Sequence, residues 1–458
     1  MIFDKSAEFI QQAASWLWSY PMIIVLFSVG IYFTIRLKGL QFRTFIKASK
    51  LTYKTRTGVG KGNISPLQSL FGALGGMVGN GNIAGAATAV FMGGPGALLW
   101  MWVGAFIGMI IVFIETLLAL KYRIKDKDGT YSGGPMYYIQ KVLKIKWLAV
   151  AFSLAMGLKT LFGTSLVQSN SISLAAVSII DVSWIPGWIP VQLPFCLILA
   201  FLTWLVVIGG LKTIARVLEK VTPLMILIYI SLILIIIFAK IDLLTEVFAL
   251  VFNNAFTASS ASGGFAGATV IMVIRYGIAR GFYSNEAGTG SSPMMYSAAR
   301  VDNIYHQSLV SMFGVFIDTI ISSATIMAIL ITGVWTSGLT STALTTAAFN
   351  TQFGEYGGLL ILLSSFLFGY STLIAWCFYG EQCFAFIWGS NVKKVFRWMF
   401  SLAILLGFMQ VETIWSIADI LNATLILINL SVIVIILKYV FEIMRLNKLK
   451  ANNNSQMQ

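Results

Sequence analysis

Charge and histidine are scarce in this sequence. Its 458 residues include 17 Asp and Glu, 31 Lys and Arg, and one histidine, His306. A single histidine excludes a multi-histidine metal centre and a histidine proton relay. A polytopic membrane enzyme would need acids or histidines gathered at an interface, and the few acids here are scattered or in loops. No G-x-x-x-x-G-K-[ST] phosphate loop is present, which argues against an ATP-driven pump. Cysteine is also sparse. Cys196, Cys377 and Cys383 are odd in number and lie in or at the ends of apolar stretches, so a disulfide framework is not expected.

Apolar residues fill the space left by charge. At 58% hydrophobic residues, with repeated runs of membrane-spanning length, the chain reads as an all-α polytopic membrane protein. A net charge of +14 would suggest nucleic acid as a partner of a soluble domain, but here the basic residues sit in short segments between apolar runs. No nucleic-acid or obligate protein partner is inferred; the lipid bilayer is the expected surrounding. Windows of spanning length give about eleven spans, near 16–36, 67–91, 96–121, 147–178, 191–211, 221–240, 262–281, 306–333, 357–380, 394–412 and 416–440. The first follows Asp4, Lys5 and Glu8 without a basic leader or small-residue cleavage site, and reads as a retained span.

Orientation follows from Lys and Arg in alternate loops. The segment after the first span carries Arg36, Lys38, Arg43, Lys47, Lys50, Lys54, Arg56 and Lys61 and no acid, whereas 181–190 and 335–356 carry no Lys or Arg. The alternation places the amino terminus outside and the carboxyl terminus in the cytoplasm, most simply in a bacterial inner membrane.

An odd number of spans suggests one extra helix followed by two blocks of five in opposite orientation, the inverted-repeat plan of many secondary transporters. The expected division is 1–64 for the extra helix and basic loop, 65–240 for the first repeat, 241–440 for the second and 441–458 for the tail. The plan gives meaning to the run Met77-Val78-Gly79-Asn80-Gly81-Asn82-Ile83-Ala84-Gly85, which puts helix breakers and amides inside a span. An interruption there must be buried against protein or face a watery cavity. It is either a binding element or a small-residue packing face. A counterpart is expected at the start of the second repeat, and Ala261-Ser262-Gly263-Gly264-Phe265-Ala266-Gly267 lies there.

Several strings resemble the alanine or glycine:cation symporter family of the amino-acid, polyamine and organocation superfamily: VGNGNIAGAATA, GGPGALLWMWVGAFIG, SGGPMYYI, RGFYSNEAGTGSSP and IADILNATLILINL. The resemblance runs from about Ser65 to the last span. It implies a leucine-transporter-like five-plus-five fold and cation-coupled uptake of a small neutral amino acid, alanine or glycine, with sodium as coupling ion and no organic cofactor. Glutamine as substrate, or a proton as coupling ion, is the alternative; a membrane enzyme is the alternative of another class. Where many members have VGTGNIAG, this chain has Asn80, an amide that both donates and accepts.

A zwitterion in a membrane needs partners for both charges. In the superfamily fold, the restarted half-helix beyond Val78, Gly79, Asn80, Gly81 and Asn82 presents N–H groups and a positive dipole end to the carboxylate. Carbonyls around Gly263, Gly264 and Gly267 would accept from the ammonium. Gln168 resembles the family's substrate-contacting glutamine; Asn170 lies off its helical face, so at most one of the two reaches the ligand directly. Phe265 and Trp376 either wall the side-chain end or simply pack. The resemblance places sodium between the carbonyls of Gly75, Val78 and Phe368 and the hydroxyls of Ser371 and Thr372, which would otherwise bond back along their own helix. Asp318, deep in its span, is a helix anchor or a proton relay. Arg280, Asn285 and Glu286 are expected after the second break on the cytoplasmic side, as an inner gate or a solvated pair. Glu115 reads as structural.

Overall fold

Apolar runs in lipid become helices because every backbone N–H and C=O must find a partner within the segment. The computed structural model describes residues 2–54, 57–257, 269–409 and 411–456. Among these residues seven helices are long and apolar enough to cross a membrane: Glu8–Arg36, Ala97–Tyr122, Lys146–Val177, Gly210–Ala239, Ile304–Ile331, Tyr356–Trp388 and Trp415–Ile435. The 28 residues of Ile304–Ile331 extend about 42 Å, beyond the ~30 Å hydrocarbon thickness. The other expected spans are shorter or interrupted. The window 191–211 holds a helix of only 15 residues, Leu193–Val207, and 67–91 is divided.

That divided window begins with a capping box. Ser65 Oγ accepts from the Gln68 N–H at 3.0 Å, and Gln68 Oε1 accepts from the Ser65 N–H at 2.9 Å. Pro66 occupies the first turn, where its missing N–H costs nothing. The half-helix Pro66–Met77 ends as Val78 turns extended. A π-type turn, Gly81–Gly85, comes next and leads into Ala86–Gly93.

A further interruption lies among the described residues of the second half. Gly263, Gly264, Phe265 and Gly267 lie outside the described residues. The break that meets the first one is at 286–291, between the half-helix Val270–Asn285 and the short helix Ser292–Ser297. Glu286 takes a left-handed conformation (φ 52°), and Gly288 (φ 88°) and Gly290 (φ 75°) continue the turn. Arg280 therefore precedes this break and Glu286 forms its first residue.

The helices sort into two groups by their contacts. Ala97–Tyr122 packs against Val270–Asn285 and Ile304–Ile331, whereas Tyr356–Trp388 packs against Lys146–Leu158, Ser165–Val177 and Val392–Ile404. The half-helix Pro66–Met77 lies against Tyr356–Trp388 and Gly210–Ala239, so the first break faces the seam between the groups. Polar side chains concentrate there, while Ile198, Phe201 and Leu227 are exposed on the outer surface, the inside-out distribution that lipid favours. At one end, two-residue strands Ile124–Lys125 and Tyr131–Ser132 form a hairpin. Lys393 holds its tip through Asp126 at 2.9 Å and Asp128 at 2.8 Å.

Candidate functional site between two broken helices

The break at Val78 exchanges backbone hydrogen bonds for side-chain ones. The Gly79 N–H donates to Asn82 Oδ1 at 3.0 Å, and the Asn80 N–H donates to Gln168 Oε1 at 3.2 Å. The Asn80 amide also donates to Gln168 Oε1 at 3.0 Å, while its own oxygen accepts from Ser365 Oγ at 2.7 Å. Asn80 thus ties Gln168, on Ser165–Val177, to the Tyr356–Trp388 helix. Gly79 is required by close approach: a β-carbon there would lie 2.7 Å from Thr372 Oγ1 and 3.0 Å from Gln168 Nε2.

Asn82 works in the opposite direction. Its amide nitrogen lies 2.7 Å from Asp318 Oδ1 and 3.0 Å from both Ser284 Oγ and Ser322 Oγ. Ser284 Oγ in turn donates to Asp318 Oδ2 at 2.7 Å. Both carboxylate oxygens of Asp318 are therefore engaged, and this fully buried acid joins the first broken helix to the end of Val270–Asn285.

Five oxygens converge where Pro66–Met77 meets Tyr356–Trp388. Thr372 Oγ1 lies 3.1 Å from the Gly75 carbonyl, 3.3 Å from that of Val78 and 3.0 Å from that of Phe368. Ser371 Oγ lies 3.2 Å from Gly75 O and 2.9 Å from Phe368 O. Each hydroxyl has one proton to donate. Two protons cannot satisfy all these approaches, which leaves a cluster with more acceptor capacity than donors.

A small cavity opens beside the two breaks and is lined by Gly79, Gly81, Gln168, Glu286, Thr372 and Trp376, among others. The Trp376 indole N–H points to Glu286 Oε1 at 2.9 Å and the Gly76 carbonyl at 3.2 Å. One side chain thereby connects the two breaks. Asn170 does not join this group: its amide donates to the carbonyls of Gly407 (2.7 Å) and Met409 (3.3 Å), and it lines a different cavity. Asn80 supports the wall through Gln168 and is not itself a lining residue. Arg280 lines a second cavity together with Trp18 and Asp419, and Tyr283 borders both cavities. Glu115 accepts from Asn429 and from the Gly288 N–H, bracing the second break from behind.

Sequence reasoning did not single out Lys159, Asn422, Ser284 or Asp419. Lys159 carried a usable signal, since a charged residue within an apolar span calls for a reason. Its position is set by a π-type turn, Lys159–Thr164, within the long helix Lys146–Val177. Such turns insert an extra residue and re-aim the side chains beyond it.

The comparisons with known proteins agree with this architecture. The chain is similar to an uncharacterized transporter, YflA, of Bacillus subtilis (41% identity over 91% of this chain and 88% of the relative). It is similar to the sodium/alanine symporter AgcS of Methanococcus maripaludis (37%, covering 91% of each). A third relative is the probable sodium/glutamine symporter GlnT of Bacillus subtilis (34%, over 93% and 87%). Among solved structures, MhsT in complex with L-phenylalanine superposes with a TM-score of 0.57 at 16% identity, covering 80% of this chain and 89% of that one. This likeness shows the leucine-transporter-like fold. The family profile described as the sodium:alanine symporter family matches residues 3–458. The chain is a transporter and belongs to the sodium:alanine symporter family.

Proposed function

We propose that this cation-coupled amino-acid symporter takes up a small neutral amino acid, alanine or glycine, together with sodium. The observation that carries the reading is the five-oxygen cluster at Gly75, Val78, Phe368, Ser371 and Thr372. Oxygens 3.0–3.3 Å apart match adjacent ligands of a small cation. Octahedral coordination at about 2.4 Å separates neighbours by about 3.4 Å. The set is neutral and suits a monovalent ion. The substrate would occupy the cavity beside Gly79, Gly81 and Gln168, walled by Trp376. Val78 belongs to the cation cluster and adjoins that wall, so ion and substrate act on one broken helix and each raises the other's affinity by the same factor. With the basic loops cytoplasmic, the sodium gradient and membrane potential drive uptake.

Glutamine is the second reading for the substrate, favoured by the name of the GlnT relative. A relative called a putative sodium/proton-dependent alanine carrier keeps the proton as a second coupling ion. The test is uptake of labelled alanine, glycine and glutamine into proteoliposomes under an imposed sodium or proton gradient. Accumulation of alanine or glycine only with inward sodium is the expected result; accumulation that needs neither gradient refutes coupling. Ser371→Ala with Thr372→Ala should raise the half-saturating sodium concentration by at least about tenfold, two lost oxygen ligands at about 1 kcal/mol each. Unchanged sodium dependence in the folded double variant refutes the site.

A further inference from the structure

We propose that the short helices Leu40–Arg43 and Phe45–Lys54, with an apolar groove between Ala97–Tyr122 and Ile304–Ile331, bind one anionic phospholipid, its phosphate held by Arg43 and Lys47 and an acyl chain directed into the groove. The site lies apart from the amino-acid cavity and does not depend on which substrate is carried. The groove is walled by Trp102, Phe106, Met109, Phe316, Ile320 and Met327 and is almost entirely apolar. Phe106 and Ile320 are exposed along it. Between two membrane-spanning helices such a groove meets hydrocarbon. What selects among lipids is the charge beside it.

The basic helices are attached to the rim of that groove. Phe42 stacks on Phe106 with ring centroids 5.1 Å apart, and Phe45 meets Phe316 edge-on at 4.7 Å. Ala48 and Leu51 continue the buried face of Phe45–Lys54, whereas Ile46, Lys47 and Lys50 are exposed. The rings therefore reach the groove while the charges reach the start of Ile304–Ile331: Arg43 acts electrostatically on Tyr305, and Lys47 on His306. Asp302 is the acid that acts on the same histidine. From residue 36 to residue 61 the sequence has no acid, and among the described residues Arg43, Lys47 and Lys50 form no ion pair.

The dimensions match a phospholipid. Phe316 lies twelve residues after Ile304 on one helix, a rise of about 18 Å, and one leaflet of hydrocarbon is about 15 Å deep. A phosphate beside Tyr305 and Lys47 therefore places the end of its acyl chain at Phe316, where the groove begins. Basic charge alone attracts any anionic leaflet without fixing a molecule. The adjoining groove supplies the second point of attachment. Thr319 lines the same groove and donates to Asn285 Oδ1 at 3.3 Å, so the lipid lies one hydrogen bond from the residue that precedes the second break.

The test is lipid retention by the purified full chain in detergent, counted by native mass spectrometry after incubation with phosphatidylglycerol or with phosphatidylcholine of the same acyl chains. Wild type should retain one phosphatidylglycerol at least about tenfold better than phosphatidylcholine, since each nearby basic residue is worth about fivefold toward an anionic head. Arg43→Gln with Lys47→Gln should bring the two lipids to near parity. Lys212→Gln with Arg216→Gln removes the same amount of exposed basic charge elsewhere and should leave the preference unchanged. Ile320→Trp fills the groove without altering charge and should lower phosphatidylglycerol retention at least about threefold by taking the acyl chain's contacts. A preference that survives the loss of Arg43 and Lys47, or that falls as far with the loss of Lys212 and Arg216, overturns the assignment. Unchanged retention in Ile320→Trp overturns it equally. Should the variants fail to fold, wild type decides: equal retention of the two lipids overturns the site.

Discussion

Asn80 sits in the first break, and its contacts define what it does there. The side chain bonds Gln168 on one side and Ser365 on the other. A threonine has one shorter polar arm and cannot reach both. Asn80→Thr should leave Gln168 held by the backbone N–H alone and weaken amino-acid binding about fivefold, the effect of one net hydrogen bond. Calorimetric titration of the variant with alanine checks this, and loss of ligand selectivity without loss of affinity would contradict it. Gln168 was legible from its type and its resemblance to the family. Asn170, two positions on, was drawn in by proximity in sequence, yet helix geometry turns it toward Gly407. Lys159 went unread because one charge in an apolar run leaves no periodic trace, and only the fold brings Trp376 over it.

Helices and turns were legible to different degrees. Long apolar runs fix where helices form, and the first break announced itself because glycine and asparagine interrupt such a run. The second did not. Its residues, Glu286 to Ser291, carry a charge and two hydroxyls just beyond the expected span 262–281 and read as a loop, while the glycines around 263 lie outside the described residues. What identifies the turn at 286–291 is backbone conformation. Gly290 has φ 75°, and a β-carbon there would lie 2.2 Å from Pro135 Cγ. Gly290→Ala should therefore lower stability by roughly 2 kcal/mol, from left-handed strain plus displacement of the proline ring, measurable as a shift in thermal unfolding. The hairpin gives a prediction about pH. Partial burial pushes the Asp128 carboxyl up, but hydrogen bonds from Lys393 and the Thr130 N–H, with the lysine's charge, outweigh it and hold the carboxyl below its usual range. A depressed acid contributes stability above its unfolded value of about 4 and loses it as pH falls through the lower folded value. Hydrogen exchange in Ile124–Ser132 should thus be unchanged between neutral pH and about pH 5 after correction for intrinsic rates, and accelerate only below about pH 4. Asp128→Asn should raise exchange at neutral pH.

On the scale of the whole molecule, the two cavities are separated by very little protein. Tyr283 borders both, with Arg280 beyond it, its guanidinium carbon 5.8 Å from the ring centroid. Tyr283→Ala should join the cavities and produce sodium or amino-acid leak in liposomes, seen as faster collapse of an imposed gradient. A tight variant would place the barrier elsewhere. The five-oxygen cluster has a different reach, because it is shared between helix groups. Gly75 and Val78 belong to the broken helix, and Phe368, Ser371 and Thr372 to Tyr356–Trp388. Carbonyl dipoles pointed at one another across a seam repel unless something positive lies between them. A coupling cation at the proposed site would therefore rivet the seam by a removable part: with it bound, the broken helix and Tyr356–Trp388 would be held together, and without it only the Ser371 and Thr372 hydroxyls would bridge them.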